Sequence, residues 1–367
     1  MSKKILISGG GTGGHIFPAV AIANALKEYY TDADILFIGA NGRMEMKRVP
    51  EAGFEIKGLN IYGFQRKINI KNLIENLKLP FRIFNSMQEV KKIIRDFAPD
   101  IAIGVGGYAS GPALKMAAKM HIPTLIHEAN SYPGMTNRLL ADKVDCICIT
   151  YDSVQKYFPA EKTVKTGNPI RKDILNMTVS REEALEFFGL QKDKKTIAVI
   201  GGSLGARTIN ESISTFVEEL SQKGIQLIWQ TGEYYYNSLD KTLKQLHGIK
   251  VLPFVHRMDM LYMAADVVVS RAGALSLTEL CTIGKPCVLV PSPNVAEDHQ
   301  TKNANALVEA GAAVLVPDAE AKEKLKDAVL ALINDDDKLM QQKANLLQLA
   351  QPNAAELIVK EVVKIIK

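Results

Sequence analysis

The residues best equipped for chemistry gather in three glycine-rich loops. GGGTGGH, residues 9–15, sets Thr12 among five glycines and ends on His15. GVGG at 104–107 leads into Tyr108, and GGSLG fills 201–205. Each loop follows an apolar, β-prone run and precedes a helical pattern. Glycines there let the backbone approach a ligand closely, and the unpaired N–H groups opening the next helix attract an anion. One such loop is weak evidence, but three at strand ends point to phosphate or diphosphate binding. His15 is the leading candidate for a general base, because an imidazole titrates near neutrality. Its other possible roles are to cap the helix or hold the loop. His127 and Glu128, which end a later strand, are second candidates. His121, His247 and His256 read as structural or surface residues.

A dinucleotide cofactor would require an acidic residue at the end of the following strand, about 20 residues on, to hold a ribose. Ala40-Asn41-Gly42 and Thr231-Gly232 occupy those positions, with Glu233 just beyond the second. GGGTGGH also fits G-x-G-x-x-G only by force, so no cofactor is expected. A better ribose partner lies in DVVVSRAGALSLTELCTIGKPCVLVPSPNVAEDHQ, residues 266–300. Glu279 follows a loop there and Gln300 follows the next strand. A carboxylate can accept both hydrogen bonds of a ribose diol. Ser276-x-x-Glu279 is equally a capping box, and local spacing does not separate the two readings.

These loops need strands to position them. Strand-like runs at 4–8, 35–38, 101–105, 123–127 and 146–150 alternate with helical patterns. A second series follows at 196–200, 225–230, 250–253, 267–270, 287–291 and 313–316. Such alternation predicts an α/β fold with parallel sheets. The chain starts afresh near residue 165, where KTGNPIRKDILN supplies a linker. Two Rossmann-like domains facing across a cleft are therefore expected: 1–164, 165–341, and a helical segment 342–367 packing back toward the first domain. At 367 residues two cores are the natural expectation.

Four cysteines form no zinc-type pairs, and Asp335–Asp337 fall in a late helix connection, so no metal is expected. No run is long and apolar enough for a membrane span or a secretory leader. The net charge of +5 is local: residues 61–95 hold eight Lys or Arg against Glu75 and Glu89. No basic pattern interleaved with aromatics suggests nucleic acid. The same region, residues 66–84, reads as a basic amphipathic stretch. It suits either an anionic membrane surface or a core-facing helix with a solvated edge.

Residues 266–300 resemble the donor motif of nucleotide-sugar glycosyltransferases with the two-domain GT-B fold. GGGTGGH, GVGGYASGP at 104–112, HEAN at 127–130, GNPIR at 167–171, GGSLGAR at 201–207 and SRAGALSLTEL at 270–280 narrow the likeness. Together they resemble the undecaprenyl-diphospho-muramoylpentapeptide β-N-acetylglucosaminyltransferases of peptidoglycan synthesis. The resemblance covers essentially the whole chain. It implies an inverting, metal-independent transfer of GlcNAc from UDP-GlcNAc to the 4-hydroxyl of the muramoyl sugar of lipid I. It also implies a peripheral location at the cytoplasmic face of the cell membrane, which adds weight to an anionic membrane partner for residues 66–84.

By position, the resemblance puts Thr12, Gly13, Gly14 and Asn130 at the donor's sugar and diphosphate. Arg171 and Ser203 fall at its phosphates, and Val255 beneath the uracil. Ala274, Leu275, Ser276, Leu277, Thr278 and Glu279 surround the nucleotide, with Glu279 on the ribose and Gln300 on the sugar; His299 neighbours this site. Gly10, Gly11, Gly106, Gly107 and Tyr108 face the acceptor diphosphate. Ala129 and His256-Arg257 depart from the family pattern. Other readings are a diacylglycerol glycosyltransferase, a UDP-GlcNAc 2-epimerase, an NAD-dependent oxidoreductase and a non-catalytic nucleotide-sugar sensor.

Overall fold

The computed structural model describes residues 2–61, 79–202 and 204–366. Two compact units comprise residues 1–171 with 351–367, and residues 172–350.

In the first unit, β1 (Lys4–Ser8), β2 (Asp34–Ala40), β3 (Glu55–Leu59), β4 (Ile101–Gly104), β5 (Thr124–Glu128), β6 (Cys146–Ile149) and β7 (Thr163–Lys165) form one sheet. Its order is β3-β2-β1-β4-β5-β6-β7, and every neighbouring pair is parallel. Helices cover both faces, so the central strands are continuous apolar runs. Ile5 and Ile7 join one core cluster with Ile16, Ile22 and Leu26 of the helix Gly13–Tyr29. Leu6 points the other way, into a cluster with Val90, Ile94 and Leu114. The last helix, Ala354–Ile365, contributes Ile358, Val359 and Val362 to the first cluster. It thus belongs to the core of the N-terminal unit.

In the second unit, β8 (Thr196–Ile200), β9 (Gln226–Gln230), β10 (Ile249–Leu252), β11 (Val267–Ser270), β12 (Cys287–Leu289) and β13 (Val314–Leu315) repeat the pattern. The order is β10-β9-β8-β11-β12-β13, again all parallel. Each sheet winds outward both ways from its central pair, β1 with β4 and β8 with β11. In such sheets ligands bind beyond the carboxyl ends at this reversal point. The loops at 9–14 and 104–107 leave β1 and β4, the loop at 201–205 leaves β8, and SRAGALS leaves β11.

The unit limits lie after Arg171 and after Ala350, whereas the sequence reading put them after 164 and 341; residues 342–350 thus fall in the second unit. Two strands escaped that reading, β3 and β7. Both close an edge of the first sheet, where one side faces water and a continuous apolar run is not required. β3 carries Glu55 and Lys57, and β7 has three residues.

Candidate functional site

In the first unit the two glycine loops are pressed backbone to backbone. A Cβ on Gly107 (φ +88°) would lie 2.4 Å from the Gly10 carbonyl oxygen, and one on Gly9 would lie 2.2 Å from Val105 Cγ2. Helix Gly13–Tyr29 starts at Thr12 as N-cap, with no side-chain capping bond. The backbone N–H groups of Gly13 and Gly14, in its first turn, have no carbonyl four residues back to meet. His15 does not cap the helix. Its Nδ1 lies 3.0 Å from the Gly10 carbonyl oxygen, which can only accept, so Nδ1 carries the proton. In the neutral ring Nε2 is then the basic nitrogen. The ring's Cδ2–Nε2 edge rests on Gly106, whose Cβ would meet both atoms at 2.9 Å. His15 therefore holds the loop through Nδ1.

An acidic residue does follow β2, but it turns inward. Glu45 is 1% exposed. Its Oε2 accepts from Gly11 N–H at 2.8 Å and its Oε1 from Ala40 N–H at 3.0 Å. The carboxylate is engaged by the loop's own backbone. Sequence reasoning passed it over because it looked for an acid at the strand end, whereas Glu45 lies five residues past Ala40.

The end of β5 is equally enclosed. His127 is 1% exposed, and its Nε2–H donates to the Gly167 carbonyl at 2.9 Å. Burial lowers its pKa below the ordinary histidine value, against smaller upward pulls from Gly167 and Glu128. Glu128, 2% exposed, accepts four bonds. Asn130 N–H and Nδ2 reach Oε1 at 3.0 and 3.1 Å, while Gly134 N–H and Asn137 Nδ2 reach Oε2 at 2.9 and 2.8 Å. In this arrangement Glu128 shapes the loop that presents Asn130. The Arg171 guanidinium lies 5.4 Å over the Phe17 ring, and that ring packs against the Cβ direction of Gly13. Tyr108 stands beside the second glycine loop, 56% exposed.

In the second unit the loop at 201–205 locks onto the end of β9. A Cβ on Gly205 (φ +78°) would lie 2.2 Å from the Thr231 carbonyl oxygen. Gln230 links three segments: its Nε2 donates to the Gly202 carbonyl at 2.9 Å and its Oε1 accepts from Val255 N–H at 3.3 Å. Val255 is buried. Ser203 lies outside the described residues, so its expected phosphate contact has no structural counterpart here.

The helix after β11 runs from Ala274 to Ile283 with Gly273 as its N-cap and no side-chain cap. Ser276 is thus the third helical residue, and the capping-box alternative for Ser276-x-x-Glu279 is overturned. Leu277, Thr278 and Glu279 are buried while Leu275 and Ser276 are half-buried. Glu279 Oε2 accepts the Tyr262 hydroxyl at 2.8 Å. The loop before this helix is braced by Arg271, whose Nη1 donates to the Val290 and Pro291 carbonyls at 3.0 and 3.2 Å and pairs with Asp318. Gln300 accepts from Ser292 N–H at 2.8 Å. It follows Glu297 and Asp298, two consecutive non-glycine residues in left-handed conformation (φ 55° and 51°). Strain of this kind collects at functional sites.

Sequence reasoning did not single out Tyr262, Gln230 or Arg271. Arg271 stood within the recognised motif, but an inward-facing tyrosine and glutamine carry no local signal. Asp335 and Asp336 have structural partners: Asp335 caps a helix through Lys338 N–H at 2.9 Å, and Asp336 pairs with Lys195 at 2.5 Å. Arg257, at one of the departures from the family pattern, pairs with Asp259 at 2.6 Å.

Residues 5–149 match the glycosyltransferase family 28 N-terminal domain, and residues 196–359 its C-terminal domain. A protein of Parabacteroides distasonis is 54% identical over 365 residues, spanning 99% of this chain and 98% of its own. One of Bacteroides thetaiotaomicron is 51% identical over 366 residues, spanning 99% and 97%. Both are named UDP-N-acetylglucosamine--N-acetylmuramyl-(pentapeptide) pyrophosphoryl-undecaprenol N-acetylglucosamine transferase. Among solved structures, Acinetobacter baumannii MurG superposes with a TM-score of 0.77 at 30% identity over 99% of both chains. A UDP-GlcNAc 2-epimerase from Neisseria meningitidis reaches 0.68 at 17% identity, covering 99% of this chain and 100% of its own, which shows a shared fold alone. Two parallel Rossmann-like sheets, end-to-end identity above one half and both domain matches agree: the chain belongs to glycosyltransferase family 28, among the UDP-N-acetylglucosamine--N-acetylmuramyl-(pentapeptide) pyrophosphoryl-undecaprenol N-acetylglucosamine transferases.

Proposed function

We propose that this protein transfers GlcNAc from UDP-GlcNAc to the 4-hydroxyl of the N-acetylmuramyl sugar of undecaprenyl-linked lipid I, with inversion. The observation that carries the reading is the end-to-end identity with relatives named as N-acetylmuramyl-(pentapeptide) pyrophosphoryl-undecaprenol N-acetylglucosamine transferases. The site geometry supports a mechanism. His15, protonated on Nδ1 by its bond to Gly10, takes the acceptor hydroxyl's proton on Nε2 as oxygen attacks the sugar's anomeric carbon. UDP departs from the opposite face, and its growing charge is assigned to Arg171, Ser203 and helix N-terminal amides. Glu279 holds the ribose and Gln300 the sugar. Asn130, carried by the Glu128-braced loop, reaches the GlcNAc. His127 and Glu128 act in this scheme by fixing that loop. No metal is required, since fixed cationic and dipolar groups meet the departing charge.

The acceptor diphosphate is assigned to Gly10, Gly11, Gly106, Gly107 and Tyr108. Because Gly11 N–H is engaged by Glu45, the anion would draw on the other groups of this set instead. Residues 66–84 are assigned to an anionic membrane surface at the cytoplasmic face. Residues 66–78 of this stretch, and the side chains of 79–84, lie outside the described residues. Among the described residues no helix is long and apolar enough to cross a membrane.

The decisive experiment is transfer of labelled GlcNAc to a lipid I analogue, with and without EDTA and beside a diacylglycerol acceptor. Turnover on lipid I alone that survives EDTA is expected. Transfer to diacylglycerol, or binding without turnover, would sink the acceptor assignment. His15→Ala should lower turnover by about 10²–10⁴-fold while UDP affinity holds. Binding to phosphatidylglycerol vesicles but not to phosphatidylcholine vesicles, lost when basic residues of 66–84 are neutralised, tests the membrane assignment.

A further inference from the structure

We infer that Glu45 is a positioning residue for His15, acting through the Gly10–Gly11 backbone; the inference rests on His15 serving as the base. Three contacts connect the two side chains. Glu45 Oε2 accepts from Gly11 N–H at 2.8 Å. Its Oε1 accepts from Ala40 N–H at 3.0 Å and so anchors the loop to the end of β2. One residue back, the Gly10 carbonyl accepts His15 Nδ1–H at 3.0 Å. The peptide whose N–H Glu45 holds is the same Gly10–Gly11 unit whose carbonyl sets the imidazole's proton and direction.

The arrangement leaves little slack. Glu45 is 1% exposed, so its bonds to backbone N–H are charge-assisted and shielded from water. A Cβ on Gly10 would stand 2.2 Å from Oε1 and 2.3 Å from Cδ, so the carboxylate fills the space beside the glycine. On the other side, Gly107 presses against the Gly10 carbonyl at a Cβ distance of 2.4 Å. The peptide is therefore gripped between a carboxylate and a second glycine loop, and a shift on either side moves the imidazole.

The chemistry requires an acid at position 45. A carboxylate is acceptor-only and meets two N–H donors at once. Glutamine has the same shape but places an NH₂ against one of those donors, and the loop must move to relieve it. A displacement of about 1 Å in a catalytic group costs about 100-fold in rate. This role differs from that of a ribose-binding acid after the second strand, because Glu45 faces the protein's own backbone.

The test is a double-mutant cycle on turnover with lipid I analogue and UDP-GlcNAc, with UDP affinity measured alongside. Glu45→Gln should lower kcat on the order of 100-fold and leave the UDP Kd within about threefold. The Glu45→Gln/His15→Ala double variant should be no slower than His15→Ala alone, because a residue acting only through the base has nothing left to position. A merely structural role would instead multiply the two losses, and that result would overturn the inference. So would wild-type turnover in Glu45→Gln. Undiminished turnover in His15→Ala would remove the base reading itself, which is a different failure. Should Glu45→Gln melt below the assay temperature, Gly10→Ala makes the same test by displacing the carboxylate while keeping its charge. It should show the same loss and the same non-additivity with His15→Ala, and wild-type turnover in it would count against the inference.

Discussion

The Tyr262 hydroxyl donates to Glu279 Oε2 at 2.8 Å, with the two residues 1% and 4% exposed. This bond sets the plane of the carboxylate assigned to the ribose, and it comes from a helix, Met258–Ala264, that the donor motif does not include. Tyr262→Phe keeps the ring and removes only the hydroxyl. A buried acceptor deprived of its donor costs about 1–3 kcal/mol. The expected result is a KM for UDP-GlcNAc raised about tenfold with kcat little changed, measured by steady-state kinetics on a fixed acceptor. Equal falls in kcat and kcat/KM would show that the bond matters in the transition state instead.

Glu128 joins four donors on one carboxylate. In Glu128→Gln the amide nitrogen must face two of those N–H groups, so the loop at 130–137 loses its brace. The expected cost is about 2 kcal/mol, a fall in Tm of roughly 4–8 °C, together with a higher KM for UDP-GlcNAc as Asn130 drifts. Calorimetry and kinetics check the two effects separately. A variant with unchanged Tm but lost kcat would restore Glu128 as a participant in the chemistry.

How far the sequence disclosed these relationships follows from their physics. The central strands were legible because burial on both faces forces unbroken apolar runs, and the loops because glycine is required where Gly107 meets Gly10 and Gly205 meets Thr231. Glu279 could be proposed but not separated from a capping box, since the helix start at Ala274 depends on Gly273 having extended backbone (φ −69°, ψ 141°). Glu45, Tyr262 and Gln230 were invisible for one shared reason. Each bonds to a partner distant in sequence, or to backbone with no signature of its own. Edge strands β3 and β7 lacked the two-sided burial that marked the others.

His127 links stability to pH. Its folded-state pKa lies below the usual 6.5 because burial disfavours the charged ring. Below about pH 6.5 the unfolded chain binds a proton that the folded chain refuses, so unfolding becomes easier as pH falls. Stability from this group is complete above pH 6.5 and declines below it, with a limiting slope of about 1.4 kcal/mol per pH unit. Urea midpoints measured from pH 7.5 to 5.5 should fall for the wild type. His127→Gln should be weaker at pH 7.5 and flatter across the range. Parallel profiles would assign the pH dependence to other groups.

Gly107 carries two separable requirements, and a pair of substitutions divides them. Its φ of +88° disfavours any side chain, and a Cβ would also stand 2.4 Å from the carbonyl that holds His15. Gly42 has a similar φ of +72° but nothing within 4 Å of its Cβ position. Gly42→Ala should therefore cost only the backbone strain, about 1–2 kcal/mol, with turnover intact once folded. Gly107→Ala should cost that strain and also push the Gly10 carbonyl away from Nδ1, lowering kcat by about 10–100-fold. Tm and kcat measured on both variants give the comparison. If the two alanines reduce Tm alike and leave kcat alike, the contact between the loops does not govern His15. Loss of turnover confined to Gly107→Ala would mean that the second glycine loop supports the base as well as lining the site.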